Sequence, residues 1–161
     1  MMYFRDVAQF SAFLALIPTA AAEAQKKALG EVGAIIETEA KAEIGTYQGE
    51  IGEIPEWAPL AHVTLYGAKD WSFNGKIPLG YATAENHNPL LRTGGLRDSI
   101  SHEVEGNRVV VGSRSEVALD QEMGTPSIPA RSFLGGALFR KAPEAAKLIG
   151  LRVSNAIGGK A

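Results

Sequence analysis

A chain of 161 residues with 45% hydrophobic and 21% charged side chains can bury one sizeable core and is short for two, so a single domain is expected over 1–161. The lack of cysteine removes disulfides, thiol nucleophiles and cysteine-ligated zinc. A formal net charge of -2 lacks the cationic excess needed to grip a phosphate backbone, so DNA could pass this protein but would not be held by it.

At the N-terminus, Phe10 to Ile17 form an apolar run followed by Ala20, Ala21 and Ala22. That outline suggests a secretory leader, but Asp6 offsets Arg5 and removes the positive leading segment. The spacing of Phe4, Val7, Phe10, Leu14 and Ile17 predicts instead a short amphipathic helix over about 3–17, ended by Pro18. No unbroken run reaches the ~18 apolar residues of a membrane span, so no membrane contact is expected.

Thr19 is the expected N-cap of a second, long helix running to about Ile44. Leu29, Val32, Ile36 and Ala40 recur at helical spacing, and Ile35 widens the stripe. Glu23 with Lys27 and Glu37 with Lys41 form i,i+4 pairs in the favourable order. Gly30 and Gly33 weaken the helix and mark close approach of a neighbour. Between about 45 and 90, Gly45, Gly49, Gly52, Pro55, Pro78, Gly80 and Pro89 interrupt any period and predict a loop-rich segment.

Ser99 to Gly112 predicts a hairpin. Ile100, His102 and Val104 alternate, Gly106-Asn107 supplies a two-residue turn, and Val109 and Val111 alternate on the return. That turn sets Val104 opposite Val109 and His102 opposite Val111, placing His102 on the apolar face. From Arg131 onward a helix is expected, kinked or restarted at Pro143, with Leu148, Ile149, Val153 and Ala156 as its later buried stripe. The fold class that follows is α+β: an antiparallel sheet containing the hairpin, packed against the long N-terminal helix and a C-terminal helix.

Enzymatic signatures are weak. Glu85, His87, Asp120 and Glu122 could form a hard-ligand metal site, the basis of a rival reading as a small metal-dependent hydrolase, but their spacing matches no established ligand pattern. Gly112-Ser113-Arg114-Ser115 lacks the strand-to-helix elbow of a serine nucleophile. Gly94-Gly95 has no Walker lysine to make it a phosphate loop. No catalytic residue, cofactor or metal is therefore expected. A second rival is a monomeric module that binds a protein partner.

The stronger signals are structural. They are Trp57-Ala58-Pro59-Leu60, Leu91-Arg92-Thr93-Gly94-Gly95-Leu96-Arg97-Asp98-Ser99-Ile100, Gln121-Glu122-Met123-Gly124-Thr125, and Ile128-Pro129-Ala130-Arg131-Ser132-Phe133-Leu134. Thr93 and the glycines let the chain turn before Leu96 re-enters the core. Pro129 fixes an extended approach, Phe133 and Leu134 anchor the next helix, and Arg131 offers a planar fork for a carboxylate. Glu122 is its candidate partner, within the subunit or across an interface.

In order and spacing these blocks resemble those of the virion-morphogenesis and tail-component proteins of tailed bacteriophages, which include Mu-type tail-completion and HK97-type tail-component proteins. Here Ser132 stands where that family usually has proline, and Val117-Ala118 where it often has Tyr-Ala. The resemblance implies a structural protein of tail completion or head-to-tail joining, found in the virion tail or neck and in the host cytoplasm during assembly. It implies a ring, commonly a hexamer, around the DNA channel, with neighbouring tail or connector proteins as further partners. The loop-rich 45–90 segment would then contact neighbouring subunits, with Arg131, Glu122, Phe133 and Trp57 as interface candidates.

Overall fold

A computed structural model describes residues 6–61, 64–65 and 87–158, apart from the side chain of Phe10. Phe4, Glu85, Pro78 and Gly80, to which the sequence reading assigned roles, lie outside the described residues.

The first element is one continuous helix, α1 (Val7–Glu43), 37 residues long. Two helices divided at Pro18 were expected; Pro18 lies inside α1, and the N-cap is Asp6, whose side chain accepts from Gln9 N at 2.8 Å. Proline removes one intrahelical bond, but the alanine-rich turns on either side keep helical geometry through it. Beyond Ile44, Gly45 takes a left-handed φ of 100° and donates its N–H to Pro89 O at 2.8 Å, tying the end of α1 to the start of the motif-rich half.

After Gly94, at φ 83°, comes a single helical turn, α2 (Gly95–Asp98), then strands β1 (Ile100–Glu105) and β2 (Arg108–Ser113). The strands pair antiparallel with Val104 opposite Val109 and His102 opposite Val111, as the turn chemistry predicts. A short helix, α3 (Ala118–Met123), leads to α4 (Phe133–Gly158), which runs through Pro143 without a break.

The architecture is α+β, with the hairpin and α4 both packed on α1. One core joins Val32, Ile36 and Ala40 of α1 with Ile44, Leu96, Ile100, Trp57, Phe133 and Ala137. Gly33 is where the hairpin meets α1: a Cβ there would lie 2.5 Å from the His102 ring and 2.7 Å from Val109, so only glycine permits the approach. Along the other contact the ion pairs fix an antiparallel register, with Glu43 to Arg140, Glu39 to Lys141 and Glu31 to Arg152.

Candidate functional site

Three of the four sequence blocks meet at the start of α4. A helix N-terminus leaves its first N–H groups without intrahelical partners and carries a partial positive charge. Here Glu122, arriving from α3, supplies the acceptor. Its Oε2 accepts from Phe133 N and Leu134 N, each at 2.9 Å, and its Oε1 accepts from Gly135 N at 2.8 Å and from the Ser132 hydroxyl. One carboxylate thus caps a whole turn.

The loop that brings Glu122 to this point is held by Gly124. At φ 74° it adopts a conformation that side chains rarely take, and a Cβ would meet Ala130 N at 2.7 Å. Thr125 and Ile128 exchange backbone hydrogen bonds at 2.8 and 3.2 Å, and Arg131 N donates to Gln121 O at 2.7 Å. The Glu-x-Gly-Thr and Pro-Ala-Arg-Ser-Phe-Leu blocks therefore form a single interlocked unit.

Arg131 and Glu122 do not form the ion pair that the sequence suggested. The Arg131 side chain is only 5% exposed and donates through Nη2 to Ala58 O at 2.9 Å and Pro59 O at 3.3 Å. The guanidinium thus holds the Trp57-Ala58-Pro59-Leu60 block against the loop before α4. Both charged groups find backbone partners inside the subunit. Trp57 and Phe133, at 4% and 0% exposure, lie in the core of the subunit; of the interface candidates, Glu122 alone retains partial exposure.

The fourth block borders the same region. Leu91 to Leu96, Pro59, Leu60, Val117, Ile128 and Arg131 line a cleft of about 520 Å³. Leu90 on its rim has φ 64°, a left-handed strain on the order of 1 kcal/mol for a residue with a Cβ.

His102 lies on the hairpin's inner face, where its Nδ1 is 2.6 Å from Glu37 Oε2. Lys41 first, and His102 second, hold the Glu37 carboxyl below its ordinary range. Glu43 is a buried charge that sequence reasoning did not single out. It is 2% exposed, pairs through Oε1 with Arg140, and turns Oε2 toward Gly136, where no donor among the described residues meets it. Burial pushes its carboxyl up to about 7, against the pull of Arg140. The signal was available: Glu43 continues the buried α1 stripe through Ile36 and Ala40 at i, i+4, i+7 spacing.

Of the proposed metal ligands, His87 stands beside Tyr47 with ring centroids 6.3 Å apart, and both Glu122 oxygens are occupied by the cap. Among the described residues no three His, Asp or Glu side chains gather in position to hold a metal ion. By length and composition α1 is long and apolar enough to cross a membrane, and none of that stretch is buried, a property that the count of consecutive apolar residues did not register. No family model, no curated protein and no solved structure matches the chain.

Proposed function

We propose that this chain is a structural protein of a tailed phage or prophage that acts in tail completion or head-to-tail joining as a ring around the DNA channel. The observation that carries the proposal is the interlocking at the start of α4. Residues of three of the four blocks on which the resemblance rests physically require one another: Glu122 to cap Phe133, Leu134 and Gly135, Gly124 to let the loop approach Ala130, and Arg131 to hold Ala58 and Pro59. Blocks chosen by chance from a loop-rich chain would have no reason to close on one another in this way. A net charge of -2 suits a conduit along which DNA slides without being gripped.

The test is quantitative mass spectrometry of gradient-purified particles from the source phage. The proposal expects this chain at a fixed stoichiometry of a few copies per particle, retained through salt washes. Its presence in infected or induced cells but absence from particles would overturn the proposal.

A further inference from the structure

Glu43 belongs to two contacts at once. Its backbone carbonyl, at the end of α1, accepts from Thr46 N at 3.1 Å and from Gln48 Nε2 at 3.4 Å, both in the strap of residues 45–56 that leaves the helix. Its carboxylate reaches α4 instead, pairing with Arg140 and lying 3.0 Å from where a Cβ at Gly136 would stand. The strap rests on the same stretch of α4. Gly52, at φ 59°, lies against the Phe139 ring so closely that a Cβ would collide with it, and Ile54 Cδ1 is 3.6 Å from the Cβ position of Gly135.

The charges around this carboxylate do not balance it. Arg140 on α4 attracts it, while Glu39 from α1 and Glu122 from α3 repel it. Glu39 is itself paired with Lys141 at 3.5 Å, and both Glu122 oxygens are taken by the α4 cap. Oε2 has no donor among the described residues, and the nearby Gln48 amide is already spent on Glu43 O and on Thr46 O at 2.9 Å. A neutral carboxyl tolerates that dry site far better than an anion, which needs water or a second donor at Oε2. Movement of the strap would admit either.

We propose that Glu43 is a proton-operated latch: while it holds a proton the strap stays seated on α4, and loss of the proton lifts residues 45–56. The motion is bounded on both sides. Trp57 in the core, and Arg131 on Ala58 O and Pro59 O, fix the far end of the strap. The hairpin meets α1 at Gly30, Gly33 and Glu37, more than a helical turn before Glu43, and can stay docked. This inference does not depend on the role in phage tails.

The experiment is amide exchange of the full chain, read by NMR from pH 5 to 8 and corrected for the intrinsic pH dependence of exchange. The reporters are Gly45, Thr46 and Trp57, whose N–H groups bond to Pro89 O, Glu43 O and Gln48 O. With the Glu43 carboxyl raised from 4.5 to about 7, their protection should fall by about tenfold to a hundredfold across that range. Below the global transition the loss should be nearly independent of urea, and the hairpin amides should stay at least about tenfold better protected, as a local opening requires. Glu43→Gln, which cannot ionise, should hold the strap at its pH 5 protection throughout. In wild type the Glu43 carboxyl carbon should titrate well above an ordinary glutamate, with the Gly52 resonances losing the shift imposed by the Phe139 ring over the same range.

An undiminished pH response in Glu43→Gln overturns the proposal. Equal protection and equal urea dependence in strap and hairpin also overturn it, since the opening would then be global unfolding. A Glu43 carboxyl that titrates in wild type like an ordinary glutamate removes the latch whatever the variant does.

Discussion

Replacing Glu122 with alanine removes the acceptor for three backbone N–H groups and one hydroxyl at the start of α4. Loss of an ordinary N-cap costs about 0.5–2 kcal/mol, and hydrogen bonds to a charged group contribute about 1.5–3 kcal/mol each. Water can reach part of this turn, since Ser132, Leu134 and Gly135 are half-buried, while the Phe133 ring is sealed in the core. The expected cost is therefore about 2–4 kcal/mol, below the sum of four separate bonds. Urea unfolding should show a lower midpoint with an unchanged m-value, and amide exchange at 133–135 should accelerate. Glu122→Gln keeps one acceptor oxygen but turns an NH₂ toward the helix dipole, so it should recover less than half of the loss. A Glu122→Ala variant within 0.5 kcal/mol of wild type would refute the capping role and with it the reason the two blocks belong together.

Arg131→Ala should lower the melting temperature of the subunit itself, by roughly 2–4 kcal/mol in stability, because it strips the donor from Ala58 O and Pro59 O; a variant that melts normally but fails to assemble would restore an interface role. Gly33→Ala should destabilise by more than about 1 kcal/mol in urea although alanine favours helix, since its Cβ would collide with His102 and Val109; a gain in stability would disprove the close approach. Glu43 and Glu37 act in opposite pH windows. The raised Glu43 value means its contribution is full below about 4.5 and lost as pH rises through about 7, whereas the lowered Glu37 value means its contribution is present above about 4.5 and lost as pH falls through its folded value. Glu43→Gln should flatten the decline in stability between pH 5 and 8, an effect of up to about 3 kcal/mol, and a melting profile identical to wild type across that range would contradict the burial argument.

The hairpin was legible because its information is local: Gly106-Asn107 sets the turn and the alternating valines set the register. The length of α1 is not legible at Pro18, because the cost of one proline depends on the helical turns that continue on both sides. At the start of α4 the important residue types were legible and their partners were not. Glu122 and Arg131 each satisfy their charge with backbone groups from distant positions, and a carbonyl or an amide has no letter in a sequence. Phe133 is legible as a helix anchor and Trp57 as an interface candidate, but core and interface place the same apolar demand on a side chain, and only packing separates them.

Electron microscopy of a lysate from which this chain's reading frame has been deleted tests the proposed role in joining or completing phage tails. That role requires filled heads and separate or misterminated tails in the deletion, with joined particles restored when the chain is supplied in trans. Normal numbers of complete, infectious particles in the deletion would contradict it.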